Sequence, residues 1–328
     1  MRPKERRVAL RAYLSPMTDR FSIAQSALDA ASALPLMRTA VVHPTKPESL
    51  DAAVEAANAR LIEPVLVGPR AKIEAAAEAA GEDASRFEVV DAEHSHEAAA
   101  VAARMAAEGA VAALMKGSLH TSELLKAIIA ERALRTERRM SHAYVLETPA
   151  YPKPLIVTDS GINVAPDLAT KADIAQNAAD LFACLSGGER PAKIAVLAAV
   201  ETVNPDMPVT VDAAALCKMA DRGQVTGCLI DGPLAFDNAI SAEAARTKGI
   251  VSEVAGDPDV LLVPDLEAGN MLAKQMTFLG GAEAAATVLG ARCPVILPSR
   301  SDSLRTRLLS CALAVNVAHA QGRLEGRP

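Results

Sequence analysis

PVILPSRSDS (residues 294–303) runs from a short apolar stretch through a Ser-Arg-x-Asp turn into a segment where Leu304, Leu308, Cys311 and Val315 fall on one stripe. A short apolar run closed by Pro reads as a buried strand, and apolar residues recurring every three to four positions read as a helix. Strand, polar turn and helix in that order form the repeating unit of an α/β sheet. The helix is predicted to begin near Ser301-Asp302 and to stop at about Gly322, which puts Arg300 and Asp302 at its amino-terminal mouth. A helix start offers unpaired N–H groups and a partial positive charge, and Arg300 adds a planar donor fork suited to phosphate or carboxylate. Ser299 can donate to an oxyanion or a thiolate. The same residues also fit a plainer role, with Ser301 or Asp302 capping the helix and Arg300 a solvated turn residue.

The pattern recurs along the chain. Short apolar runs bounded by Pro, Gly or Asp predict strands at Arg38–His43, Ile62–Gly68, Val111–Met115, Ala143–Leu146, Leu155–Asp159, Lys193–Ala199, Gly227–Asp231, Val260–Pro264 and Pro294–Pro298. Most are apolar throughout, as strands covered on both faces are. Ala-rich helical stretches separate them. In TKADIAQNAADLFACL (170–185), Thr170 is placed to cap, Ile174, Ala178, Leu181 and Leu185 share a face, and Gly187-Gly188 ends the helix. The chain has 328 residues, and single cores stop growing at roughly 250–300 residues, so two domains are expected. The stretch 132–141 is the predicted crossing between them.

Composition narrows the function. Hydrophobic residues make up 50% and charged residues 23%, which fits a folded globular chain. Aromatics are 2% and Trp is absent, so platforms for stacking bases are scarce. The net charge of -6 disfavours general attraction to nucleic acid or an anionic membrane, and any bound anion needs a local basic cluster. Cys184, Cys217, Cys228, Cys293 and Cys311 are scattered without a C-x-x-C pair, which indicates neither a zinc site nor a disulfide framework and suits a reducing cytoplasm. The start, MRPKERRVALRAYL, lacks an apolar core of secretory length, and no run approaches about 18 apolar residues, so neither export nor membrane insertion is expected. No P-loop, Rossmann glycine fingerprint, H-E-x-x-H or G-x-S-x-G elbow is present.

Three further constellations can carry chemistry. RALRTERRMSH (132–142) gathers Arg132, Arg135, Arg138 and Arg139 in an acidic chain. That density suits a polyanion, although alone it reads first as a solvated helix end with Glu137 pairing locally. In LMKGSLHTSELL (114–125) a strand ends in Lys-Gly-Ser and a helix starts near Thr121. Gly117 permits close backbone approach, while Lys116, Ser118, His120 and Thr121 supply donors; a lone loop histidine is ordinarily a surface residue. DGPLAFDNAIS (231–241), KGI (248–250) and VPDLEAGNMLAK (263–274) repeat the strand, polar turn, helix pattern and offer Asp231, Asp265, Glu267, Gly269 and Asn270 to one crevice. Each alone is also ordinary capping chemistry, and Met271 and Met276 read as core filler.

Together these motifs resemble the phosphate acetyltransferase and phosphate butyryltransferase family over about residues 38–320. LMKGSLHT, RTERRMSH, AVETVNP (199–205), DGPLAFDNAIS, KGIVS, DVLLVPDLEAGNMLAKQ and LPSRSDS carry the likeness. They look closer to the butyryltransferase-like branch, which does not settle the acyl chain. The resemblance implies an α/β, two-lobed fold like that of isocitrate and isopropylmalate dehydrogenases, with parallel or mixed sheets, an interlobe cleft and a homodimer. One lobe would take residues 1–139 plus 290–328 and the other, the dimerising one, 140–289. It also implies short-chain acyl transfer, acetyl foremost, between coenzyme A and phosphate in a ternary complex. Coenzyme A and phosphate are then substrates, with no separate cofactor, metal, nucleic acid or membrane partner. Ser299 and Arg300 map onto the family's catalytic Ser-Arg pair and Arg139 onto an arginine that contacts coenzyme A. The family's acidic base maps onto Thr306, so Asp302 is the carboxylate expected to replace it. Lys116, Ser118, His120, Thr121, Asp265, Gly269 and Asn270 complete the expected binding set. The alternative on the same architecture is a metal- and NAD-dependent decarboxylating dehydrogenase, which needs clustered aspartates; Asp231, Asp237 and Asp265 are the scattered candidates.

Overall fold

The computed structural model describes residues 23–299 and 302–324. The chain divides into two compact units, one of residues 1–127 with 296–328 and the other of residues 128–295. Both are α/β.

In the first unit, β1 (Met37–Val42), β2 (Ile62–Gly68), β3 (Glu88–Asp91) and β4 (Ala113–Lys116) lie in the order β3-β2-β1-β4. All the pairings are parallel, and Val42 stands beside Val67 on one side and Lys116 on the other. Ala40, Val41 and Val42 are wholly buried, as strands covered on both faces require. The helix Ser95–Ala107 buries Ala98, Ala99, Ala102, Ala103 and Ala106, so small side chains bring its backbone close to the sheet. The carboxyl-terminal helix, Leu304–Ala320, buries Leu308, Cys311 and Val315 and pairs Arg307 with Glu55 at 3.1 Å. Beyond it, the Arg323 guanidinium donates to the carbonyls of Ala106, Val111 and Ala112, tying the chain's return to this unit.

The second unit contains β5 (Ser141–Glu147), β6 (Leu155–Thr158), β7 (Ala192–Leu197), β8 (Cys228–Leu234), β9 (Val260–Leu262) and β10 (Glu283–Leu289), and ends at Val295, the first residue of β11 (Val295–Ile296). Their order is β11-β10-β5-β6-β9-β7-β8. The strands β6, β9, β7 and β8 pair in parallel, whereas β5 runs antiparallel to both β6 and β10. The sheet is therefore mixed. Its register carries a consequence for the site: the start of β5 lies at the edge where β6 and β9 end. Leu146, Leu155, Val157, Leu234, Leu261 and Val263 form the centre of one core, under the helix Leu266–Phe278.

Two strands escape the apolar-run reading. Strand β3 is half-exposed, and β10, EAAATVL, is rich in alanine, which favours helices when no partner strand is known. The helix predicted to be capped by Thr170 begins instead at Leu168, with Asp167 accepting the Thr170 N–H at 2.8 Å; it ends as expected at Gly187, whose φ is 69°. Ser303, rather than Ser301 or Asp302, caps the last helix by accepting the Thr306 N–H at 3.1 Å. Met276 packs on the core, but Met271 is 63% exposed and fills no core.

Candidate active site

In the first unit, β1 is where the strand order reverses, with β2 on one side and β4 on the other. Ligands of open α/β sheets bind at the carboxyl ends of such strands. Here the loop after β4 is seated on the end of β1: Gly117 N–H donates to Val42 O at 2.9 Å and Ser118 N–H to His43 O at 2.9 Å. A side chain at position 117 would run into Val42 O and His43, so only glycine allows this approach. The loop gathers Lys116, whose Nζ donates to Gly117 O at 3.3 Å, and Ser118, whose hydroxyl bonds that of Ser49 at 2.8 Å. His120 and Thr121 follow at the start of the helix Thr121–Ala130, where the Glu123 N–H donates to His120 O.

His43 and Ser49 belong to this cluster and were not singled out in the sequence. His43 holds φ at 56°, uncommon for a residue with a side chain, and its Nδ1 lies 3.4 Å from Thr45 Oγ1. Burial pushes its imidazole pKa below the ordinary value, partly opposed by a hydrogen bond that the ring donates to the Ser118 main chain. The polar HPTK stretch directly after an apolar run was the available signal.

Ser299 and Asp302 bond each other just before the last helix. The Ser299 N–H donates to Asp302 Oδ2 at 2.7 Å, and the Asp302 N–H donates to Ser299 O at 3.1 Å. Arg300 lies outside the described residues, as does Ser301. Thr306 occupies the first turn of the helix, its hydroxyl 3.0 Å from that of Ser303.

In the second unit, Arg139 precedes β5 with its side chain exposed. Its N–H donates to Asp173 Oδ2 at 2.9 Å, and its carbonyl accepts from Asn177 Nδ2 at 2.9 Å. Of its neighbours, Arg138 is paired with Asp180, while Arg132 and Arg135 are exposed. Asp265 caps the helix Leu266–Phe278 by accepting the Ala268 N–H at 2.8 Å, so its carboxylate has a structural task. Gly269 and Asn270 pack on the turn that follows β6. A Cβ at Gly269 would lie 2.5 Å from Asp159 O, and Asn270 Nδ2 donates to Ser160 O at 3.3 Å. The register of β5 against β6 thus brings Arg139, Gly269 and Asn270 to one edge, joined by the turn 159–163, which the sequence reading passed over.

The other motifs resolve into structural contacts. Lys248 bridges Glu201 at 3.0 Å and Asp237 at 3.3 Å, and Asp231 accepts the Gly232 N–H at 2.9 Å. No group of three or more His, Cys, Asp or Glu able to hold a metal ion occurs among the described residues. Burial raises the thiol pKa of Cys217 and Cys228 to about 11 and of Cys311 to about 12, which makes them poor nucleophiles near neutrality. A cavity of about 740 Å³ in the second unit is lined by Tyr151, Phe236, Leu272, Met276 and Leu279 among others. None of its lining residues carries a charge, so it offers no fixed cation to phosphate.

Residues 94–315 match the phosphate acetyl/butaryl transferase family. The chain is 53% identical over 285 residues to the phosphate acetyltransferase of Rickettsia prowazekii (strain Madrid E), covering 87% of this chain and 81% of that one. It is 40% identical over 270 residues to the phosphate butyryltransferase of Clostridium acetobutylicum, covering 82% and 90%. A branched-chain phosphotransacylase from Enterococcus faecalis V583 superposes with a TM-score of 0.75 at 29% identity, over 87% of this chain and 99% of that one. The dehydrogenase alternative finds no support in these relatives. With the family match spanning most of the chain and relatives of this identity aligned over most of their own length, the chain belongs to the phosphate acetyl/butaryl transferase family and is a phosphate acyltransferase.

Proposed function

We propose that this chain transfers a short acyl group, acetyl before propionyl or butyryl, reversibly between coenzyme A and inorganic phosphate by direct attack in a ternary complex. Two reactants held in one site gain most from fixed orientation, so the protein's task is positioning and charge placement. Written towards acyl-CoA, the thiolate sulfur attacks the acyl phosphate carbonyl, the C–S bond forms, and phosphate departs with the electrons of the C–O bond. Asp302 accepts the thiol proton, Arg300 clamps the phosphate, and Ser299 hydrogen-bonds the sulfur or the developing oxyanion. Arg139 contacts coenzyme A, and Lys116, Ser118, His120, Thr121, Asp265, Gly269 and Asn270 line the substrates, Asp265 serving also as a helix cap.

The observation that carries this assignment is the pair of bonds between Ser299 and Asp302. The Ser299 main chain bonds the Asp302 carboxylate at 2.7 Å and the Asp302 N–H at 3.1 Å, which fixes the two residues to each other ahead of a helix amino terminus and supports their acting together. The high thiol pKa values argue against a cysteine acyl-enzyme. The two-lobed arrangement with an interlobe cleft, lobe boundaries at 1–139 plus 290–328 and 140–289, a homodimer and a cytoplasmic site of action complete the proposal on family resemblance. No metal or further cofactor enters it, and nucleic acid and membrane are not partners. Among the described residues no helix is long and apolar enough to cross a membrane.

The test is release of coenzyme A from acetyl-, propionyl- and butyryl-CoA on adding phosphate, compared with arsenate and with no acceptor. Phosphate-dependent release, fastest with acetyl-CoA, is expected. Its absence with every acyl chain would remove the proposal. Arg300→Gln is expected to weaken phosphate use severely with the fold intact, and a near-parental variant would reject the clamp.

A further inference from the structure

Arg139 lies in irregular chain, between the short turn Arg132–Leu134 and the start of β5 at Ser141. No helix or strand ladder fixes the origin of its long side chain. Three polar side chains do so instead, each bonding the main chain and none bonding the guanidinium. Asp173 Oδ2 accepts the Arg139 N–H at 2.9 Å, and Asn177 Nδ2 donates to Arg139 O at 2.9 Å. Asn163 Nδ2 donates to the next carbonyl, Met140 O, at 2.8 Å.

Asn163 is itself held. The Asp159 carboxylate, 2% exposed, accepts from the N–H groups of His142 (3.0 Å), Gly161 (3.0 Å), Ile162 (3.2 Å) and Asn163 (2.9 Å), and from Asn163 Nδ2 at 2.6 Å. A buried carboxylate saturated with donors is a rigid anchor, because losing any one of them leaves charge without solvation. Gly269 lies against Asp159 O and Asn270 against Ser160 O, so the wall proposed to line the substrates rests on the same turn. Gly290, at φ 84°, leaves room for Arg139 O where any side chain would overlap it.

We infer that Asn163, Asp173 and Asn177 are positioning residues that clamp the Arg139–Met140 main chain and thereby aim the Arg139 guanidinium at coenzyme A. The inference rests on the proposed role of Arg139. Each clamp residue acts through Arg139, so its removal should weaken coenzyme A use only while Arg139 is present.

The experiment is a double-mutant cycle on the full-length enzyme with Asn163→Ala, Asp173→Ala, Arg139→Ala and the doubles Asn163→Ala/Arg139→Ala and Asp173→Ala/Arg139→Ala. KM for coenzyme A, KM for acetyl phosphate and kcat are measured, with far-UV circular dichroism melts to confirm folding. Asn163→Ala and Asp173→Ala should each raise the coenzyme A KM roughly five- to tenfold, the effect of one lost orienting hydrogen bond, with little change in the acetyl phosphate KM. Each double should match Arg139→Ala alone. Additive losses, or equal losses in both KM values, would show a merely structural turn and overturn the inference. A parental coenzyme A KM in Arg139→Ala would overturn the role of Arg139 and the inference with it. Should Asn163→Ala not fold, the Asp173 arm decides, because Asp173 lies on the helix Leu168–Ser186, outside the Asp159 turn.

Discussion

Replacing Gly117 with Ala adds one methyl group where the end of β1 and the loop after β4 meet. Its Cβ would press on Val42 O and lie 2.9 Å from both His43 C and His43 O, whereas ordinary contacts begin at 3.4 Å. These obstacles are main-chain atoms of a strand end and cannot rotate away, so the loop must retreat by roughly 0.5 Å or more. That retreat stretches the bonds from Gly117 N–H to Val42 O and from Ser118 N–H to His43 O, both 2.9 Å. Overpacking costs about 1–3 kcal/mol and each weakened bond up to about 1 kcal/mol, while a less flexible unfolded chain returns about 0.4–1 kcal/mol. Mid-range values of these terms leave a net loss of about 2 kcal/mol, which at roughly 2–4 °C per kcal/mol lowers Tm by ~4–8 °C. Because the chain contains no Trp, far-UV circular dichroism in urea and heat is the suitable readout. Since the displaced loop carries Lys116 and Ser118, kcat/KM should fall as well. A variant within about 0.5 kcal/mol of the parent and with unchanged kcat/KM would refute the close-approach argument.

Asp259 is 2% exposed and takes Arg190 Nη1 and Nη2 at 2.6 and 2.8 Å, Lys153 Nζ at 2.8 Å and the Lys193 N–H at 2.9 Å. Asp259→Ala strands these donors, of which Arg190 and Lys153 reach solvent, and should cost about 2–3 kcal/mol in urea unfolding; a cost below about 1 kcal/mol would reject it as an anchor. Burial alone would raise the Asp259 carboxyl pKa, but the bonds from Arg190 and Lys153 hold it below the usual range. Its stabilisation is therefore present above the ordinary carboxylate pKa and is lost as pH falls through the lower folded value. His142 acts over a higher window: burial pushes its imidazole down to about 4 from 6.5, only partly opposed by Asp159. As pH falls from about 6.5 to about 4, the unfolded chain takes up a proton that the folded chain refuses, so stability declines by up to about 1.4 kcal/mol per pH unit. Urea midpoints at pH 7, 6 and 5 should fall more steeply for the parent than for His142→Gln, and equal slopes would contradict a buried neutral imidazole.

Much of the architecture was legible before any coordinates. Ile62–Gly68 was bounded to the residue, and the other predicted strands fell within a few residues of the observed ones, because a buried strand must be apolar and must end at a residue that breaks the ladder. Spacing also distinguished Lys116-Gly117-Ser118 and Asp265–Asn270 as strand-to-helix turns. Gly269 proved to be a close-approach glycine and Asp265 a cap, two roles that sequence cannot separate from ligand contact.

What stayed hidden depends on partners distant in the chain. Strand β10 is an alanine-rich heptapeptide that becomes a strand only beside β5, where Ala286 meets Tyr144. Asp167 and Thr170 are both good caps, and only the backbone angles at the helix start choose Asp167. The importance of Asp159, Asn163 and Asn177 arises from bonds spanning 17, 23 and 38 residues, which exist only once β5 and β6 are in register. The sequence alone determined most of the elements, their order and the family, because those follow from local periodicity and short motifs. Tertiary structure alone decided which polar side chains bond one another's main chains, because that depends on strand pairing across long stretches of chain, which carries no local signal.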